Sequence, residues 1–170
     1  AFSEMLFLPT PEDTDRLGLL LAQSLLANRQ AITQLGLNIR LEGDLGAGKT
    51  SLTRATLRAL GVSGRIKSPT FTLLETYPID SEIEVFHFDF YRFESPEEFL
   101  DAGFRENFAP GHITFCEWSE KAGNCLPNAD LTISLKPHDE GRQAFLTAST
   151  ELGLNVLKAI NEAWTSHAEH

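Results

Sequence analysis

Eight consecutive residues, Gly43-Asp44-Leu45-Gly46-Ala47-Gly48-Lys49-Thr50, constrain this chain more than any other feature of it. They fit the pattern of Gly, four residues, Gly, Lys and then Ser or Thr. Glycines at these positions let the backbone curl until successive N–H groups converge on phosphate oxygens, and a helix starting at the end of the loop adds the positive end of its dipole. The pattern carries meaning only between a strand and a helix, and both flanks comply. Leu37-Asn38-Ile39-Arg40-Leu41-Glu42 alternates apolar and polar residues, which is the period of a strand with one buried face. A helix is predicted over Lys49 to Leu60, closed by Gly61 at its C-terminal end. In such a cradle Lys49 reaches the β- and γ-phosphates and Thr50 offers its hydroxyl to Mg²⁺, while Ser51 contacts the α-phosphate from the first helical turn. The expected ligand is therefore ATP with Mg²⁺.

The rest of the chain supports one α/β domain over residues 1–170, with a frayed tail at 165–170. At 170 residues, 42% hydrophobic and 22% charged, it has the length and composition to bury a single core, and neither a repeat nor a Pro/Gly/Ser-rich linker divides it. A short strand is predicted at Met5 to Leu8 and an amphipathic helix at Pro11 to Ala27. Phe71 to Tyr77 and Glu84 to Phe90 read as paired strands, Pro96 to Ala102 as a short helix capped by Ser95, and Ile113 to Glu117 as a compact strand. Leu131 to Lys136 and Gln143 to Ser149 form a hairpin across Pro137 to Gly141, and Glu151 to Trp164 is a final helix. Helices alternating with strands predict a P-loop NTPase-like three-layer sandwich, a mixed central β-sheet flanked by helices. The polar face of Leu37 to Glu42 is odd in such a sheet, because a central parallel strand is normally apolar on both sides.

A phosphate cradle of this kind also needs a carboxylate at the end of a neighbouring strand to hold Mg²⁺ directly or through water. Val85-Phe86-His87-Phe88-Asp89 and Ile113-Thr114-Phe115-Cys116-Glu117 both end in an acid, and pattern alone does not choose between Asp89 and Glu117. His87 reads as a buried core histidine. Cys116 and Cys125 match no zinc or redox spacing and read as idle thiols. The formal charge of −10 repels phosphate backbones, which argues against a stand-alone nucleic-acid binder, although Arg54, Arg58, Arg65 and Lys67 make a local basic group readable as a solvated helix face and loop. Leu17 to Leu26 is too short to span a bilayer, and no signal-peptide pattern precedes it, so a cytoplasmic location without membrane contact is expected.

Four separated motifs occur in one order: the glycine loop at 43–50, Ser68-Pro69-Thr70-Phe71, His87-Phe88-Asp89-Phe90-Tyr91-Arg92 and Glu117-Trp118. Together they closely resemble the TsaE (YjeE) family of bacterial ATPases, over about Leu8 to Ser149. The resemblance implies a place in the machinery that makes threonylcarbamoyladenosine in ANN-decoding tRNAs. It implies that Ser68 to Phe71 is a switch-like segment with Thr70 facing the γ-phosphate and metal, that Asp89 serves hydrolysis and that Glu117 binds the metal. Trp118 would then lie beside the nucleotide and Arg142 would contact it, with Glu12 and Thr14 bordering the adenine. Without the resemblance, Trp118 reads equally as an aromatic packed on the sheet and Arg142 as a turn arginine. The implied catalytic set is Lys49, Thr70 and Asp89, and the metal set is Thr50 with Glu117.

No arginine stands beside the phosphate motifs except Arg92 or Arg142, so slow hydrolysis that requires partner proteins is expected. The partners that the resemblance implies are the ASKHA-fold threonylcarbamoyl transferase and its paralogous dimerisation subunit, with tRNA met only through the complex. Two rival readings share the cradle. One is a small-molecule, nucleoside-type kinase, weakened by the lack of an Arg-rich lid, and the other is a binding module whose ATP state changes its partner surface.

Overall fold

The computed structural model describes residues 2–168. Seven strands form one mixed sheet: β1 (Phe2–Leu8), β2 (Leu37–Glu42), β3 (Leu74–Pro78), β4 (Glu84–Asp89), β5 (His112–Glu117), β6 (Leu131–His138) and β7 (Gly141–Ala148). Their spatial order is β1-β7-β6-β2-β5-β4-β3. The centre is parallel, with β2 beside β5 and β6 and β4 beside β5, while β1, β7 and β3 join antiparallel at the flanks. Among the described residues five α-helices flank the sheet: α1 (Pro11–Ala27), α2 (Arg29–Leu35), α3 (Lys49–Ala59), α4 (Glu97–Asp101) and α5 (Glu151–Ala168).

Two apolar clusters hold the layers together. On one face Leu17, Leu21 and Leu25 of α1, Leu52 and Leu57 of α3 and Val156, Leu157 and Ile160 of α5 pack on Ile39, Leu41, Val85, Phe115, Ile133 and Leu146. On the other face Phe86, Phe88, Phe90, Phe93 and Phe99 form an aromatic group with Cys116 and Leu126. Burial of this apolar area is the main stabilising term. Strand alternation assigns the residues: in β4, Val85 faces the first cluster and Phe86 and Phe88 the second, which puts His87 and Asp89 on the side of α1 and α3.

The polar face of β2 now has a cause. Instead of an apolar helix, the loop at 127–130 covers it, and Asn38 Nδ2 donates to the carbonyls of Pro127 and Asn128 while its Oδ1 accepts from Thr114 Oγ1 at 2.9 Å. Arg40 Nη2 donates to the Pro127 carbonyl at 3.0 Å. A buried polar side chain is tolerable when paired in this way.

Several boundaries differ from expectation. β1 begins at Phe2 because pairing with β7 extends it through Phe2↔Ala148. β3 begins at Leu74, since Pro69 to Leu73 is held as a turn by Leu73 N–H donating to Pro69 O and by a φ of 69° at Leu73. Helix α2 was not legible: seven residues with only Ile32 buried give too short a period. At α4, Ser95 makes no side-chain cap, and its N–H instead donates to Glu98 Oε2 at 3.1 Å. The β6–β7 turn is reduced to Asp139 and Glu140, with φ of 51° at Asp139. Helix α5 continues to Ala168 where a frayed tail was expected from 165, and residues 169–170 of that tail lie outside the described residues. No helix among the described residues is long and apolar enough to cross a membrane.

Candidate functional site

The loop 43–50 leaves β2 and opens α3. Two of its glycines are fixed by backbone and space together. Gly43 has φ 145° and a Cβ there would stand 2.6 Å from Leu135 O, while Gly48 has φ 106° and a Cβ would meet Arg142 Nη1 at 2.5 Å. Gly48 also precedes α3 without any side-chain cap, so no capping side chain occupies the first-turn N–H groups. Lys49 is buried to 5% exposure, donates from Nζ to Gly43 O and lies 4.1 Å from the centre of the Trp118 ring. Ala47 is buried behind the loop, whereas Leu45 projects into solvent.

Beside the loop, parallel pairing of β4 and β5 sets Asp89 opposite Glu117. Both carboxylates are buried, at 6% and 3% exposure. Burial pushes the Asp89 carboxyl above its ordinary value, and neighbouring Glu117 adds to this, while the Tyr91 N–H, His87 and Lys49 pull the other way. Tyr91 N–H donates to Asp89 Oδ1 at 2.9 Å, and His87 Nε2 lies 2.6 Å from Glu117 Oε2. The segment expected to act as a switch leads into Leu73, whose carbonyl accepts from Asp89 N–H at 3.0 Å. Ser68 Oγ and Thr70 Oγ1 are 2.8 Å apart, Arg92 Nε donates to Thr70 O at 3.1 Å, and the Arg92 guanidinium lies 4.2 Å from the centre of the exposed Phe71 ring.

Trp118 adopts left-handed backbone, φ 57°, immediately after Glu117, and packs on Tyr91 with ring centroids 4.9 Å apart. A cavity of about 640 Å³ runs along this side of the loop between Asp44, Lys49, Trp118, Glu120 and Lys136. Arg142 stands over Gly48 and donates to Thr14 Oγ1 at 3.1 Å. The structure thus brings Thr14, Arg142, Lys49, Asp89, Glu117 and Trp118 around one loop. Glu12 stands apart: it is exposed in the first turn of α1 and makes no hydrogen bond or ion pair to the loop among the described residues. Arg54, Arg58, Arg65 and Lys67 are all exposed, as a solvated helix face and loop would be.

Sequence reasoning missed two partnerships. His87 is buried as expected, yet its contact is an acid of the site, and Arg92, one of the two arginines beside the phosphate motifs, donates to Thr70 O. Period-two alternation put His87 and Asp89 on one face, but no sequence signal gives the register that brings Glu117 beside them.

A mixed sheet with helices on both faces and a glycine loop between a central strand and a helix defines a P-loop NTPase-like α/β protein. The chain belongs to the TsaE family: residues 8–144 match the family model described as threonylcarbamoyl adenosine biosynthesis protein TsaE. It is 43% identical to the tRNA threonylcarbamoyladenosine biosynthesis protein TsaE of Haemophilus influenzae over 76% of this chain and 81% of that one. The TsaE of Rickettsia felis is 38% identical over 88% and 84%, and that of Bacillus subtilis 34% identical over 81% of each. The crystal structure of Bacillus subtilis YdiB is similar in fold, with TM-score 0.71 and 26% identity over 95% of both chains.

Proposed function

We propose that this chain is a Mg²⁺-dependent ATP-binding protein and a slow, partner-stimulated ATPase required for threonylcarbamoyladenosine modification of ANN-decoding tRNAs. The observation that carries the reading is the convergence on one glycine loop of buried Lys49 with the paired carboxylates Asp89 and Glu117. The loop N–H groups and Lys49 bind and orient the phosphates, with Ser51 beside them, and Arg142 and Thr14 flank the nucleotide. The Thr50 hydroxyl and the Glu117 carboxylate are the groups that would hold Mg²⁺. Oxygen donors suit that ion, which usually takes one or two carboxylates and completes its shell with phosphate oxygens and water. Bound there, it supplies neutralisation of phosphate charge.

Asp89 and Thr70 orient the attacking water, and burial, which raises the affinity of Asp89 for a proton, suits this acid to accept one. Dependence on partners follows from the two arginines. Arg92 donates from Nε to Thr70 O and lies on the Phe71 ring, and Arg142 donates from Nη1 to Thr14 Oγ1, so contacts within the chain hold both guanidiniums, and a partner is read as completing the charge around a transferring phosphoryl group. The partners of this reading are the threonylcarbamoyl transferase subunit and its paralogous dimerisation subunit, with tRNA reached through them. The test measures ATP turnover with and without both partners, together with Lys49→Ala. Stimulation by the pair and loss of nucleotide binding in Lys49→Ala are expected, and equal turnover with and without partners would refute partner control.

A further inference from the structure

His87 is 1% exposed, its Nε2 lies 2.6 Å from Glu117 Oε2, and its Nδ1 is buried with no hydrogen-bond partner among the described residues. The nearest acid on the other neighbouring strand is Glu75, opposite His87 in register, but its Oε1 is engaged by Thr72 Oγ1 at 3.0 Å. Asp89, two residues along β4, accepts from Tyr91 N–H, and Phe115 is the residue opposite on β5.

We propose that His87 is a positioning residue: its buried ring, in contact through Nε2 with Glu117 Oε2, sets the carboxylate plane so that Oε1 is the oxygen offered to the cation. The inference rests on the reading of Glu117 as a metal ligand. Partners of this kind behind a first ligand are worth about tenfold or more in metal affinity. The glutamine variant, His87→Gln, keeps an N–H donor near the Nε2 position, whereas His87→Phe keeps ring volume and removes it.

Two measurements test the proposal on the full chain. The first titrates Mg²⁺ into ATP binding read by calorimetry. His87→Phe is expected to raise the half-saturating Mg²⁺ concentration about tenfold and His87→Gln to recover most of that loss. Nucleotide binding in chelator is expected to be equal in all three proteins, which a merely structural defect would not give. An unchanged Mg²⁺ requirement in His87→Phe would overturn the inference alone, while a wild-type protein indifferent to Mg²⁺ would overturn the reading of Glu117 and this inference with it. The second follows the side-chain ¹⁵N resonances of wild-type His87 as Mg²⁺ is added to the ATP complex, so the proposal stays testable even if His87→Phe does not fold. A shift of Nε2 on Mg²⁺ addition is expected, and resonances unmoved by the cation would overturn the inference.

Discussion

Burial and the adjacent Glu117 both raise the Asp89 carboxyl above its ordinary value, so the folded chain holds the charged form of Asp89 less comfortably than the unfolded chain does. The linkage has a definite sign. A carboxyl raised on folding contributes stability that is present below the ordinary value of 3.8 and is lost as pH rises through the raised value. Asp89→Asn is therefore expected to melt at a higher temperature than wild type at pH 7, with the gain shrinking as pH falls toward 4, while ATP turnover is lost. Thermal unfolding across that range measures it, and equal melting temperatures at pH 7 would contradict the burial argument. Lys49, Asp89 and Glu117 were legible in the sequence because each occupies a position with a local signature, the end of a glycine loop or the end of an apolar strand. The His87–Glu117 contact was not, since it joins residues 30 apart through a strand register that only the assembled sheet defines.

Helix α1 packs on α3 at a point where Gly18 allows contact between the two backbones. A Cβ at Gly18 would lie 2.5 Å from Ala55 Cβ and 3.0 Å from the Ala55 and Thr56 backbone, so even a methyl group has no room. Gly18→Val forces the helices apart and is expected to cost about 1–3 kcal/mol by overpacking. A chain of this size then loses roughly 2–4 °C of melting temperature for each kcal/mol. Because α3 carries Lys49 and Thr50, ATP affinity should fall as well, and a variant with unaltered melting and affinity would show that the interface yields freely. The amphipathic stripe of α1 was readable from Leu17, Leu21 and Leu25, but nothing in the stripe gives a reason for the glycine inside it. Its reason lies in the neighbouring helix. The same holds for β2, where Asn38 looked misplaced until the 127–130 loop supplied its partners.

At the scale of the molecule, charge opposes contact with nucleic acid. The net −10 repels a phosphate backbone, and the exposed group Arg54, Arg58, Arg65 and Lys67 is small against it. At physiological salt the chain alone is expected to leave the electrophoretic mobility of tRNA unchanged, and a shift that disappears on Arg54→Ala with Arg58→Ala would reverse that expectation. Fold class was legible here from alternating helix and strand patterns, yet strand order was not. The sequence carries the pattern of each strand, whereas β1 docking beside β7 and β6 beside β2 are decided by which faces bury together.

That strand order has a consequence for how the chain is made. During synthesis the glycine loop and its helix emerge early, but β1 has nowhere to pair until β7 has left the ribosome, since its whole length aligns with 142–148. The earliest strand must therefore wait for one of the latest, a long-range closure of the kind that slows folding. Arg142 arrives in that same late strand and takes its place over Gly48, so the phosphate loop is translated long before the residue that covers it. A nascent chain truncated ahead of residue 142 carries the loop without its cover, which makes completion of the site a late step in the birth of the molecule.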